Sequence, residues 1–319
     1  MKQAPKQKQM RYDDLRKAKQ KLIEEYGSIT YQELTLHDLR AFINLDVNWG
    51  KDVVSLHSHM FYEVLFCRQG NVDYLLDNQR FRVQQGDIVL IPPGMGHRPL
   101  FLEELKEPYV RYALWIDAAF FKGACAQYPL LDLCFQQCRK RGSYLLRTTR
   151  ASWVGLQAAF DSLHREAEEQ QPCWELCLAM GALTLMTHIS RTYYYQDSAA
   201  PAAESNTLLD QMFQYIDNHL GEKITLEDVA RQCMVSKSTV SHVFREKLGV
   251  PFYQCLVQRR LVAAKKSMLR GQPLRQVCEE CGFADYSSFY RLFKKEHGIS
   301  PRQFLELHRQ VAQEETPML

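Results

Sequence analysis

The feature that most constrains this chain is a repeat near its C-terminal end. LEDVARQC (226–233) and LRQVCEEC (274–281) set Leu226, Val229 and Cys233 against Leu274, Val277 and Cys281 at an offset of 48 residues. Beyond the turns the offset becomes 49, pairing Phe244 with Phe293 and Gly249 with Gly298. Two copies of one supersecondary unit therefore stand in series. The local chemistry says which unit it is. Thr225 followed by Asp228 is a capping-box variant opening a helix. Met234-Val235 makes a short turn, and Ser236 is a good cap for a second helix running to about Leu248. Gly249 can take the left-handed conformation that ends it. In the second copy Pro273 suits a first helical position, Gly282 permits a tight turn and Gly298 ends the second helix. Ser300-Pro301 then caps a last helix holding Phe304 and Leu307. Each copy is predicted to be helix–turn–helix.

Periodicity alone would fit any packed helical domain. What points to DNA is the composition of the two second helices. One offers Lys237, Ser238, Thr239, Ser241, His242 and Arg245; the other offers Asp285, Tyr286, Ser287, Ser288, Arg291, Lys294 and Lys295. Small hydroxyl residues near a helix N-terminus let backbone approach the major groove, where His, Arg and Asp reach base edges. The terminal lysines are placed for phosphates. Residues 223–302 hold 15 Lys and Arg against 7 Asp and Glu, while the whole chain holds 40 against 37, so the rest is net acidic. That asymmetry fits one domain facing phosphates. VQRRLVAAKKSMLRG (257–271) reads as a basic spacer helix, expected to set the two recognition helices into successive major grooves, roughly 34 Å apart.

Residues 224–304 resemble the DNA-binding domain of the AraC/XylS family of bacterial transcription regulators. The resemblance rests on Arg260-Leu261 with Ala264 and Leu269, on Gly282-Phe283, on Phe289 with Phe293-Lys294-Lys295, and on Gly298-Ile299-Ser300-Pro301. Cys278 departs from the family's usual small residue. The resemblance implies double-stranded DNA as a partner, a small-molecule effector, a homodimer, contact with RNA polymerase and a role as an activator.

The N-terminal half has another character. FYEVLFC (61–67), VDYLL (72–76), RFRV (80–83), DIVLIP (87–92) and YVRYALWI (109–116) read as short strands between turn signals, which predicts a small barrel or sandwich. His57, His59, Glu63 and His97 fall at a spacing similar to the metal motifs of cupin barrels. Alternate residues of a strand share a face, so His57 and His59 can point the same way. Three imidazoles and a carboxylate suit Zn, Fe, Mn or Ni. The competing reading keeps them as barrel architecture around an organic effector, and Phe101 stands where many metal cupins close the motif with Asn. His57, His59, Glu63, His97, Tyr112 and Trp115 are the expected effector-binding set, with Phe61, Tyr62 and Arg111 also available to line it.

From Thr148 the spacing turns helical, through Trp153, Leu156, Ala159, Phe160 and Leu163. Cys173 to Tyr195 reads as a helix apolar nearly all round, buried either in its own domain or against another subunit. Its apolar core, Trp174 to Ile189, is short for a bilayer and contains Glu175. QDSAAPAAESN (196–206) reads as a linker. The N-terminus is basic and Gln-rich without an apolar stretch, which argues against a secretory signal. The ten cysteines read as cytosolic thiols, with Cys278 and Cys281 as small core residues.

The expected architecture is an α+β multidomain chain. Residues 1–30 form a basic extension, 31–146 a cupin-like effector domain, 147–195 a helical dimerisation segment, 196–206 the linker, and 207–319 an all-α domain with two helix-turn-helix units. The expected function is sequence-specific, effector-controlled transcription regulation in the cytoplasm, with a sugar or related carbon compound as the effector and no enzymatic activity. Two readings compete with it: a metal-dependent cupin enzyme carrying a DNA-binding tail, and a regulator controlled by a protein partner.

Overall fold

The computed structural model describes residues 36–195 and 208–306, apart from 37–38, 51–53, 55, 78 and 103. The basic extension 1–30 and the linker 196–206 lie outside the described residues. Among the described residues, eight strands build two facing sheets: β1 (Ala41–Asn48), β2 (Tyr62–Gln69), β3 (Asn71–Leu76), β4 (Gln79–Gln84), β5 (Ile88–Ile91), β6 (His97–Leu100), β7 (Tyr109–Ile116) and β8 (Leu145–Leu146). One sheet runs β1-β7-β2-β5-β8 and the other β4-β3-β6, with every pairing antiparallel. The five strand segments read from the sequence are all present. β1, β6 and the two-residue β8 add to them.

Alternation along β2 and β7 sorts side chains between two layers. Leu65, Cys67, Tyr109 and Ala113 point between the sheets, where they meet Val72, Tyr74, Phe81 and Val89. Tyr62, Val64, Phe66, Tyr112 and Leu114 point outward into a core shared with helices. Those helices begin earlier than the sequence spacing indicates. Helix α1 (Ala118–Gln127), a 3₁₀ turn (Pro129–Asp132) and α2 (Leu133–Arg141) sit between β7 and β8, inside the segment 31–146. Asp117 starts α1 by accepting a hydrogen bond from Phe120 N at 2.8 Å.

Helices α3 (Arg150–Glu169) and α4 (Trp174–Tyr195) complete this layer. They cross closely because Gly181 has no side chain: a Cβ there would lie 2.5 Å from Leu163 Cδ2. The apolar girth of α4 divides into two faces. Leu178, Ala182, Leu185, Met186, Ile189 and Tyr193 are buried within the domain, while Leu176 and Met180 remain exposed.

The C-terminal domain is all helix: α5 (Leu208–Asn218), α6 (Leu226–Gln232), α7 (Lys237–Leu248), α8 (Phe252–Leu269), α9 (Leu274–Glu280), α10 (Tyr286–His297), and a last helical stretch over 301–306. The capping chemistry of the first unit forms as read, whereas Pro273, expected as a first helical residue, is the cap preceding α9. Thr225 accepts from Asp228 N while Asp228 accepts from Thr225 N, and Ser236 accepts from Thr239 N. Gly249 and Gly298 close α7 and α10 at φ of 66° and 73°.

Helix α8 serves two cores. Phe252, Cys255, Leu256 and Val262 pack into the first unit with Phe213, Val229 and Phe244. Leu261, Ala264 and Met268 pack into the second with Val277, Cys278, Cys281, Phe289 and Phe293. The Cys278/Cys281 pair therefore sits as core, and all ten cysteines are free thiols. No helix among the described residues is long and apolar enough to cross a membrane.

Candidate functional site

Two groups of residues carry chemistry, one in each domain. In the barrel, Glu63 points inward from β2, opposite Ile91 on β5 and Trp115 on β7. His97 opens β6, and His59 lies in the stretch leading into β2. The two sheets thus bring three residues, distant in sequence, to one spot. All three are buried, His97 completely.

The hydrogen bonds define their roles. Trp115 Nε1 donates to Glu63 Oε1 at 2.7 Å. His59 Nδ1 lies 3.1 Å from the Phe61 carbonyl, and His97 Nδ1 lies 2.9 Å from the Met95 carbonyl. A carbonyl only accepts, so each ring carries its proton on Nδ1. Both Nε2 atoms then face the second carboxylate oxygen: Glu63 Oε2 is 3.1 Å from His59 and 3.0 Å from His97. Phe61 stacks on His59 with centroids 3.8 Å apart. Burial pulls the His59 imidazole below its ordinary range. The same burial would raise Glu63, but hydrogen bonds and charge from His59 and His97, which require a second proton on Nε2 of the rings, outweigh it and pull the carboxyl well below the usual carboxylate range.

This arrangement changes the expected set. His57 stands beside it: its backbone bridges His97, its ring meets His97 edge-on at 4.2 Å, and its ring nitrogens are not among the converging ligand atoms. Tyr112 is on the wrong face. Three positions from Trp115, it takes the opposite side of β7, where it lies parallel to Phe160 on α3 at 5.6 Å and its hydroxyl donates to Asp161. Tyr62 faces out likewise, against Phe121 and Phe135. Arg111 is inward but engaged with Asp46 at 3.3 Å and with the Tyr109 ring. Grouping these aromatics by proximity in sequence missed the two-residue period that separates them.

In the C-terminal domain, Lys237, Ser238, His242 and Arg245 are exposed along α7, as are Tyr286, Ser287, Arg291, Lys294 and Lys295 along α10, with Thr239, Ser241 and Ser288 half-buried. Asp285 is also exposed, but it is the cap of α10. It accepts from Ser288 N at 2.7 Å and from the Ser288 hydroxyl at 2.9 Å, which turns both side chains toward the helix end. His242 pairs with Glu246 at 2.9 Å.

The basic spacer α8 uses its charge internally. Arg259 is buried against Asp217 at 2.6 Å and over the Phe213 ring. Arg260 binds the carbonyls of Leu220 and Glu222, and Lys265 is fully buried. Part of the positive excess of residues 223–302 therefore belongs to packing and not to phosphate.

Lys265 also shows what sequence reasoning missed. Its ammonium donates to the carbonyl of Ser58, between His57 and His59, at 3.0 Å. Beside it Lys266 pairs with Asp77 at 2.7 Å. Val262 lies so close to Gly96 that a Cβ on that glycine would meet it at 3.0 Å. Leu56, Leu75 and Leu100 of the barrel join the core of the first helix-turn-helix unit, and Met60 packs against that of the second. The signal was present as Gln258, Arg259, Val262 and Lys265, a helical stripe that is buried. Nothing in the sequence says what covers it.

A ligand-binding barrel joined to paired helix-turn-helix units defines a DNA-binding transcription regulator. Comparison with known proteins agrees in both halves: the AraC-like ligand binding domain family matches residues 48–176, and the helix-turn-helix domain family matches 229–307. The chain thus carries both domains of AraC-type regulators, a ligand-binding domain and a helix-turn-helix domain. The HTH-type transcriptional activator RhaR of Salmonella dublin is 24% identical over 284 residues, covering 86% of this chain and 94% of its own. RhaR of Escherichia coli O1:K1 / APEC is 24% identical over 270 residues, covering 82% and 90%. Among solved structures, ToxT of Vibrio cholerae O395 spans 83% of this chain and 97% of its own at 11% identity. Its TM-score is 0.33. These relatives are regulators, not enzymes.

Proposed function

We propose that this regulator is an activator whose barrel binds a sugar or related carbon compound, and that the bound effector changes how α8 is held against the barrel. The observation that carries the reading is the Lys265–Ser58 contact. It links the stretch bearing His57 and His59 directly to the helix that builds both DNA-binding cores. An effector can shift this equilibrium only by binding the docked and released arrangements unequally. Any ligand that reshapes residues 57–60 meets that condition.

Lys265→Met keeps most of the packing and removes the hydrogen bond to Ser58 O. A hydrogen bond from a charged group contributes roughly 1.5–3 kcal/mol, so the docked-to-released balance should move about 10- to 150-fold. DNA affinity measured by fluorescence anisotropy should then approach its effector-bound value without effector. A thermal-shift survey of sugars, polyols and sugar acids supplies the effector. If Lys265→Met binds and responds as the unmodified chain does, the coupling is not through this contact. If no compound shifts stability or DNA affinity, control by a protein partner replaces the effector.

For DNA, Arg291 is assigned to base reading and Lys294 to phosphate. Arg291→Ala should cost roughly 1–3 kcal/mol and relax base choice at one position. Lys294→Ala should weaken binding to every sequence and lower the salt dependence by about one unit. Equal losses on specific and random duplexes for Arg291→Ala would remove its assignment. The exposed face of α4, with Leu176 and Met180, is assigned to a second copy of the chain, and RNA polymerase to the activator's further partner. Light scattering of the full chain counts the copies.

A further inference from the structure

We propose that His59 Nε2, Glu63 Oε2 and His97 Nε2 form a three-ligand site for one divalent first-row transition cation, independent of which effector the barrel takes. The three donor atoms lie within 4.8 Å of one another and belong to buried residues.

The argument begins with protons. Both Nδ1 atoms face backbone carbonyls at 2.9 and 3.1 Å, which fixes the protonated nitrogen of each neutral ring on the side away from Glu63. Each Nε2 is left with a lone pair aimed at Glu63 Oε2. The other oxygen, Oε1, is occupied by Trp115 Nε1–H. Three lone-pair donors thus converge with no proton assigned between them. A proton could join Oε2 to one ring. It would not serve the other, and buried His97 Nε2, although 3.0 Å from Oε2, makes no hydrogen bond of good geometry among the described residues.

A cation resolves all three contacts together. Zinc and its neighbours bind imidazole nitrogen and carboxylate oxygen at about 2.0–2.2 Å, so two ligands lie about 3.4 Å apart at the tetrahedral angle and about 3 Å apart at the right angle of octahedral coordination. The separations here are 3.1 and 3.0 Å. The Nδ1–carbonyl bonds are also what a metal-binding histidine uses to fix its tautomer and ring plane. Two imidazoles and one carboxylate select the zinc, iron, cobalt, nickel and manganese group over calcium or magnesium, which prefer all-oxygen sites. His57 stays outside the set, which reduces the expected four ligands to three.

The test uses the full chain. The protein is stripped with a chelator, dialysed and titrated with Zn²⁺ or Co²⁺, reading bound metal by elemental analysis, Co²⁺ by its visible ligand-field absorption, and melting temperature. One ion per chain is expected, with nitrogen/oxygen-type cobalt absorption and a raised melting temperature. Glu63→Gln keeps the shape and an acceptor for Trp115, and His97→Ala removes a ligand; each should weaken binding by more than about 100-fold. His57→Ala should keep it. Replacing the exposed Cys173 and Cys177 with Ser should leave stoichiometry unchanged. Absence of stoichiometric metal in the unmodified chain overturns the site, whatever the variants do. So does binding that survives Glu63→Gln and His97→Ala, or a cobalt spectrum dominated by thiolate.

Discussion

Gly282→Ala should abolish high-affinity binding to a full operator while leaving the barrel folded. At φ +72°, a Cβ on residue 282 would lie 2.2 Å from the Leu220 carbonyl oxygen and 2.7 Å from the Arg260 guanidinium. Left-handed backbone costs about 1–2 kcal/mol for a residue with a side chain, and overpacking adds about 1–3 kcal/mol. The chain contains its own control. Met234 holds the corresponding turn of the first unit, also left-handed at φ 54°, but it is 93% exposed. Backbone strain alone is therefore tolerated in this turn, and the collision with Leu220 and Arg260 is what requires glycine at 282. Relief needs the second unit to move away from the loop after α5, which destroys the fixed spacing of α7 and α10. Anisotropy on operator DNA should lose at least about 100-fold, a change of about 2.7 kcal/mol. Met234→Ala or Met234→Gly should bind as the unmodified chain does. A Gly282→Ala chain with full operator affinity would show that the two units are not held together through this turn.

The same pair of turns shows what was legible in the sequence. The duplication, the caps at Thr225 and Ser236 and the stops at Gly249 and Gly298 are local chemistry, and local chemistry is written in consecutive residues. Five of the eight described strands were visible for the same reason, through their bounding turns, whereas β1, β6 and β8 were not. The histidine site was half visible. Motif spacing named His59, Glu63 and His97, but it also admitted His57, and the expected effector lining added Tyr112. Only strand pairing decides those two: His57 bridges His97 through its backbone, and Tyr112 sits on the helix-covered face. Helices α1 and α2 were hidden because each is short and its apolar residues match several elements at once. Most opaque was the long-range placement of charge. Arg259, Arg260 and Lys265 belong to a basic spacer helix and count toward the positive excess of the domain, yet their partners are Asp217, the carbonyls of Leu220 and Glu222, and the carbonyl of Ser58. Ser58 is 207 residues away from Lys265, beyond the reach of any pattern in consecutive residues.

Asp217→Ala tests that reassignment by energy. Arg259 Nη1 lies 2.6 Å from both oxygens of Asp217, and its guanidinium covers the Phe213 ring at 3.9 Å. Burial pushes the Asp217 carboxyl up while Arg259 pulls it down, and the balance leaves it above its ordinary value. The pair is therefore a costly one to bury and a worse one to break. Removing one partner of a buried ion pair costs about 3–5 kcal/mol, because the remaining charge is left in a poor solvent. For a helical domain near 100 residues that is a fall in melting temperature of roughly 10 °C or more. The double variant Asp217→Leu with Arg259→Met removes both charges and should recover most of the loss, since apolar replacements of a buried pair are often neutral. It should also bind DNA with an unchanged salt dependence, because Arg259 faces protein and not phosphate. A salt slope reduced by one unit in the double variant would put Arg259 on the DNA-binding face; recovery of stability with the slope intact would place the Arg259 charge inside the fold.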